Sequence, residues 1–252
     1  MPWGSSAGSE QRIGEGGGVS GRLIDVVTAY GATLARGASG LSVGALGQRP
    51  EQPLQLWDFE GCPYCRKVRE AASMLDLEML IQPCPKGGTR FRATAIARGG
   101  KAQFPWLVDP NTGAEMYESA DIVRYLYATY GHGRPPLALA PDLVATATSA
   151  LASAWRFRAG IKVRPSRAPD KPLELWSFEA SPYCRLVRET LTEFELPYLL
   201  HNVAKGSPSR EAFVARSGKM QVPFLADPNT GRDLFESAAI VEYLHATYGA
   251  TG

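Results

Sequence analysis

The chain has 252 residues, of which 44% are apolar, enough for two modest cores, and 27 Lys and Arg against 25 Asp and Glu give a net charge of +2. That balance leaves no electrostatic footprint for nucleic acid. No apolar run reaches the roughly 18 residues that a membrane span needs, and the N-terminus lacks a basic patch followed by a continuous apolar stretch, so neither a span nor a secretory leader is expected.

In chain order, the first twenty residues are rich in Gly and Ser and are expected to be disordered. A helix-like prefix, Leu23 to Val43, leads into a Pro- and charge-rich connector over residues 49–53. Leu54 to Phe59 then predicts a buried strand. The Cys62-Pro63-Tyr64-Cys65 motif opens a helix whose apolar stripe is Val68, Ala72 and Leu75. Met79 to Gln82 predicts a second strand, parallel to the first because a helical crossover joins them. A weaker helix over about 90–98 precedes an apolar run from Phe104 to Val108. Asp109 to Gly113 supplies the turn of a hairpin, and a last helix starts at Ser119 with Ile122, Val123, Leu126 and Tyr130 on its apolar face.

The chain then repeats itself. Residues 54–70 and 173–189 agree at twelve of seventeen positions, and 103–131 and 221–249 at nineteen of twenty-nine. A helix-like prefix over 142–163 precedes the second copy. The implied division is a disordered 1–20, a helical prefix and connector over 21–52, a domain over 53–133, a helical linker over 140–171 and a second domain over 172–250, each domain near the lower end of sizes that fold alone. Of the four cysteines, at 62, 65, 84 and 184, only the pair Cys65/Cys184 recurs. That is no repeated disulfide framework, and it points to a reducing compartment, the cytoplasm or an organelle stroma.

The order β-α-β-α-β-β-α, with Cys-x-x-Cys after the first strand, resembles the thioredoxin-like fold, in particular glutaredoxins and the N-terminal domain of glutathione transferases. Three motifs carry the resemblance in each copy: Cys62-Pro63-Tyr64-Cys65 or Ser181-Pro182-Tyr183-Cys184, Gln103-Phe104-Pro105 or Gln221-Val222-Pro223, and Glu118-Ser119 or Glu236-Ser237. The fold class implied is α/β, two tandem thioredoxin-like domains. The resemblance makes Pro105 and Pro223 cis-prolines, gives the backbone of Phe104 and Val222 to the cysteinyl part of glutathione, and gives Glu118-Ser119 and Glu236-Ser237 to its γ-glutamyl end. A plain helix cap and an ordinary strand-entry proline are the alternatives for these residues. Tyr64 and Tyr183 are expected at the rim of each site. No metal is expected, because there is no second Cys-x-x-Cys and the three histidines are scattered.

Cys62 is expected at a helix N-cap, where free N–H groups and the helix dipole favour the thiolate, with Arg66, Lys67 and Arg69 adding positive potential. Cys65 is then the resolving thiol, Cys84 a packing residue, and Ser181 either a hydroxyl that holds the glutathione thiolate or the mark of a retired site. Glu60, near where many glutaredoxins carry a lysine, is expected to oppose the thiolate or repel glutathione. The expected function is an enzyme, a glutathione-dependent thiol–disulfide oxidoreductase with glutathione as cofactor and disulfides as substrates. Its rivals are a non-catalytic glutathione-binding, iron–sulfur or protein-interaction module and, third, a glutathione transferase.

Overall fold

The structure, a computed structural model, describes residues 40–136, 139 and 159–250. The expected disordered N-terminus and most of both helical prefixes lie outside the described residues. The first copy runs β1 (Leu54–Asp58), α1 (Pro63–Met74), β2 (Met79–Pro83), α2 (Arg92–Gly99), β3 (Trp106–Asp109), β4 (Ala114–Met116) and α3 (Ser119–Tyr130). The second runs β5 (Leu173–Ser177), α4 (Pro182–Glu193), β6 (Tyr198–Asn202), α5 (Ser209–Ser217), β7 (Phe224–Asp227), β8 (Arg232–Phe235) and α6 (Ser237–Tyr248). Both copies are thioredoxin-like units. Phe104-Pro105 and Val222-Pro223 stand just before β3 and β7 rather than inside them.

All eight strands form one sheet in the order β4-β3-β1-β2-β6-β5-β7-β8. Within each unit the first two strands are parallel, and the junction between units is the antiparallel pair β2–β6. Leu80 there pairs with Leu199, its own counterpart in the repeat. Antiparallel pairing of equivalent strands about an equivalent residue places a pseudo-twofold axis through that pair, perpendicular to the sheet, so the same face of both units points the same way. That face carries α1, α3, α4 and α6 and a single apolar core running across both units, from Leu54, Leu56 and Val68 to Leu173, Leu175 and Val187. The opposite face has a separate cluster in each unit, around Trp57 and Trp106 beside α2 and around Trp176 and Phe224 beside α5. Two independent cores were expected; the principal core is shared, because pairing β2 with β6 removes an exposed edge from each unit and makes their apolar faces continuous.

The connectors cross over between units. Gly40–Val43 does not continue a helix. Gly40 has φ 81°, a backbone shape that ends helices, and the following residues bridge to Lys205 of the second unit. Gly160 has φ 67°, and the residues after it bridge to Lys86 of the first. A second clasp mirrors the first. Glu195 accepts hydrogen bonds from the backbone of Thr89 and Arg90 at 3.2 and 3.1 Å, and on the other side Ser209 donates to Asp76 at 3.0 Å.

The Asp-Pro-Asn-Thr-Gly turn joins β3 to β4 as a hairpin and is also a structural hub. Asp109, fully buried, accepts from the hydroxyls of Tyr125 and Tyr130, each at 2.6 Å, and from Asn111, which in turn is paired with the backbone of Gln52 in the connector. Asp227, Tyr243, Tyr248, Asn229 and Lys171 repeat the arrangement. Burial alone would raise the Asp109 carboxyl, but the hydroxyl and amide donors hold it below its ordinary value. A carboxylate depressed in this way contributes stability above its unfolded pKa and loses it as pH falls through the folded value. Asp109→Ala is therefore expected to cost about 2 kcal/mol, since it strands the buried Tyr130 hydroxyl and leaves the half-buried Tyr125 hydroxyl only its bond to Thr112, and to flatten the acid limb of the stability curve. Urea unfolding between pH 3 and 7 checks this; an unchanged acid limb would contradict the hub.

Candidate active site

β1 and β3 run antiparallel with Trp57 opposite Trp106, so the loop leaving β1 lies beside the residues that enter β3. β4 is antiparallel to β3, which returns the start of α3 to the same end of the sheet. Topology thus brings the three motifs together. Side-chain contacts seal the arrangement: Phe59 meets Phe104 edge-on at 6.5 Å, and Gln103 donates to Glu118 at 2.6 Å. In the second unit Gln221 donates to Glu236 in the same way.

Cys62 is the N-cap of α1, with φ −82° and ψ 122°, and Pro63 occupies the first turn, where a missing N–H costs nothing. Its Sγ accepts the backbone N–H of Cys65 at 3.3 Å. The Cys62 thiol is lowered from its ordinary value by its hydrogen bond with the Cys65 side chain, with further help from the N–H groups of Cys65 and Tyr64 and from Arg69, against the opposing effect of burial. Burial and the neighbouring Cys62 push Cys65 well above the usual range. The two thiols therefore diverge, as an attacking and a resolving thiol would. Cys62 is only 4% exposed, whereas Tyr64 at the rim is 48% exposed. Gly61 explains part of that enclosure, because its backbone N–H bonds to Gly160 and a Cβ there would run into Ile161. Cys84 is buried, and burial raises its thiol. In alkylation with iodoacetamide across pH, Cys62 is expected to titrate below the 8.5 of a free thiol; a midpoint at or above that value would contradict the divergence.

Ser181 copies this geometry with a hydroxyl. It caps α4 with φ −73° and ψ 120°, and its Oγ accepts from the N–H of Cys184 at 3.3 Å. Tyr183 is 42% exposed at the rim. The bonds Phe104–Pro105 and Val222–Pro223 are both cis. Pro105 and Pro223 are buried, while Phe104 and Val222 are half-buried beside the Trp57 and Trp176 clusters.

Ser119 and Ser237 are the first residues of α3 and α6 rather than their caps. The cap positions belong to Glu118 and Glu236, both at φ 66°, whose side chains make no capping bond and turn to the glutamines instead. The N-terminal backbone N–H groups of a helix have no acceptor within it, so this end of each helix presents donors beside an exposed carboxylate.

The charges around α1 are arranged differently from expectation. Arg69 bonds to Asp58, to Glu60 at 3.1 Å and, across the pseudo-twofold, to Glu179 at 3.2 Å. Arg188 bonds to Glu60 at 3.1 Å and to Glu179 at 3.0 Å. Arg66 pairs with Glu70 at 3.0 Å. Arg66 and Arg69 are thus held in internal pairs, with Arg69 still helping to lower the Cys62 thiol, and Glu60 is engaged by arginines rather than set against the thiolate. Burial would raise Glu60, but Arg188, Arg69 and Arg185 hold it down at about 2. Asp58 has no counterpart acid, since Ser177 stands there in the second unit, and burial lifts its carboxyl to about 6 against the pull of Arg69.

A cation the sequence reading missed is Arg92. It hydrogen-bonds the carbonyls of Cys84 and Pro85 at 3.0 and 3.1 Å, and its guanidinium lies 4.8 Å from the Phe104 ring, next to the cis-proline. Arg210 makes the matching carbonyl bonds to Val203 and Ala204 in the second unit. The available signal was recurrence of an arginine at the start of the weaker helix in both copies.

A cis-proline loop, a helix capped by Cys or Ser, and a Glu-Ser helix start, all at one end of a βαβαββα sheet, define a thioredoxin-like unit of the kind found in glutathione-handling proteins. The family model for the glutathione S-transferase N-terminal domain matches residues 56–136 and again 175–252, and the chain belongs to that family as a tandem pair. The glutathione S-transferase-like protein OpS6 of Beauveria bassiana (strain ARSEF 2860) is 30% identical over 82 residues, 32% of this chain and 38% of the relative. The Bombyx mori glutathione transferase BmGSTD1 matches at 25% identity with a TM-score of 0.30, over 34% of this chain and 39% of that one. The chain thus spans under two-fifths of the length of either protein. No helix among the described residues is long and apolar enough to cross a membrane.

Proposed function

We propose that the first unit is a glutathione-dependent thiol–disulfide oxidoreductase with Cys62 as its nucleophile. The observation that carries this reading is the position of Cys62 at the N-cap of α1, its Sγ accepting the backbone N–H of Cys65 at 3.3 Å, at the same end of the sheet as the cis Phe104–Pro105 bond. In the first step the Cys62 thiolate attacks the glutathionyl sulfur of a mixed disulfide; a Cys62–glutathione disulfide forms, and the substrate leaves as its thiolate. Attack by the thiolate of a second glutathione then releases glutathione disulfide and restores the Cys62 thiolate. Cys65 offers the alternative resolution, closing an intramolecular disulfide when a dithiol route is followed.

Glutathione would be held by this chain's own groups. The N–H end of α3 at Ser119 suits its γ-glutamyl carboxylate, and Glu118 suits the ammonium. The backbone of Phe104 suits the cysteinyl amide, and Arg92 supplies positive charge near the cis-proline for the remaining carboxylate. A Glu118→Ala, Ser119→Ala variant is expected to bind glutathione at least tenfold more weakly in the first unit, because a charge-assisted contact contributes about 1.5–3 kcal/mol. Its melting temperature should stay close to that of the parent. Calorimetric titration decides the matter; unchanged affinity would reduce the pair to a helix start.

The second unit fits the non-catalytic alternative. Ser181 keeps the cap geometry without a thiol, so we propose that this unit binds glutathione, or supports the first, without exchanging disulfides.

A further inference from the structure

A cavity of about 760 Å³ opens between α4 and α6 of the second unit, well within the size range of small-molecule sites. Its wall runs from Tyr183 at the start of α4 to Glu193 at its end, roughly 15 Å at 1.5 Å per residue. Leu186 and Val241, both half-buried, give it an apolar floor.

The two copies of the chain have diverged along this groove. At the positions of Leu186, Glu193 and Glu242 the first unit has Lys67, Met74 and Arg124. Three substitutions therefore shift the groove by four negative charges, whereas the tyrosine and the Glu-Ser pair at its mouth are unchanged. In the first unit Lys67, Val123 and Tyr127 are buried, whereas Leu186 and Val241 are half-buried and His245 is exposed.

The cations present offset only part of the acidic lining. Arg164 is engaged with Glu193 at 3.6 Å and lies over the Phe194 ring, and burial followed by Arg164 holds His245 below its ordinary pKa of 6.5, so it is neutral at pH 7. Exposed carboxylates remain at Glu236, the cap of α6, and at Glu242 within it, and Tyr183 at the start of α4 is 42% exposed.

We propose that this groove binds a small cationic amphiphile, an organic ammonium compound whose apolar body lies over Leu186 and Val241. Its charge would face the Glu236 and Glu242 carboxylates, which attract ammonium by charge-assisted hydrogen bonds. A groove of about 760 Å³ favours a small molecule over a peptide. The inference does not rest on glutathione binding, because it is tested without glutathione.

Calorimetric titration of the full chain with 3-phenylpropylammonium, and separately with the charge-reversed 3-phenylpropanoate, tests it. The ammonium compound is expected to bind at one site, more weakly as salt rises, and the carboxylate not at all. Glu242→Arg, which installs the first unit's residue at an exposed position, should weaken ammonium binding at least tenfold with an unchanged melting temperature. Should Glu242→Arg alter the melt, Glu242→Gln on the same exposed side chain takes its place, with a smaller loss expected. Equal binding of both probes, no effect of the Glu242 variant, or binding of an oligolysine peptide but not of the small ammonium compound would each overturn the proposal.

Discussion

Cys62→Ser is expected to reduce turnover of a small glutathione mixed disulfide to background, because a hydroxyl cannot form the mixed-disulfide intermediate. Ser181 gives the second unit the same limitation. Adding Ser181→Cys to Cys62→Ser rebuilds Cys-Pro-Tyr-Cys at a helix cap whose backbone angles lie within 10° of those at Cys62 and whose N–H donor stands at the same 3.3 Å. The double variant should recover measurable activity, though less than the parent, because Ser177 replaces Asp58 and Val222 replaces Phe104 in its surroundings. Activity surviving in Cys62→Ser alone would contradict the division of labour between the units. Absence of rescue would assign the second unit to scaffolding.

The second large effect concerns the buried charges at the pseudo-twofold. Arg188→Met removes one of the two arginines that bridge the buried Glu60 and Glu179, leaving Arg69 to face both of them and Asp58, and is expected to cost about 3–5 kcal/mol. Because the principal core is shared, parent and variant should each unfold in a single transition, with the midpoint shifted and the two units lost together. Replacing Asp58, Glu60, Arg69, Glu179 and Arg188 together by apolar residues of similar volume should recover much of the loss, since uncompensated charge rather than missing attraction is the main penalty. Urea unfolding followed by circular dichroism and by tryptophan fluorescence measures it. Two separate transitions in the parent would show the units to be energetically independent.

The interior of each unit was legible in the sequence for definite reasons. The helix start at Cys62-Pro63 is marked by a proline at the first turn, the apolar stripe of Val68, Ala72 and Leu75 fixes the buried face, and each feature could be read twice. Met79–Pro83, Arg92–Gly99 and Ser119–Tyr130 fall within two residues of where the sequence pattern put them. The joining of the units was not legible. Pairing of β2 with β6 is a contact between residues about 120 apart, and nothing in Met79-Leu80-Ile81 distinguishes an edge strand from a paired one.

The same limit applied to the charges. Glu60, Arg69, Glu179 and Arg188 recur between the copies, yet several of their partners lie across the axis, so a reading confined to one unit set Glu60 against the thiolate and missed that Arg69, besides lowering Cys62, bridges the two units. Asp109 was taken as a turn residue, and of its tyrosine partners Tyr130 was read only as a member of the apolar helix face, while Tyr125 was not singled out. The positive φ at Glu118 and Glu236, which frees the start of the last helix, has no signature in residue type, since glutamate is not a residue that favours that shape.

Mapping the glutathione adduct tests the central claim most directly. The full chain carrying Cys65→Ser, which removes the resolving thiol, is incubated with glutathione disulfide at pH 7, digested, and its peptides weighed by mass spectrometry. A single glutathione per chain, located on Cys62, is the expected result. No adduct at Cys62, or preferential modification of Cys84 or Cys184, would contradict the assignment of Cys62 as the nucleophile.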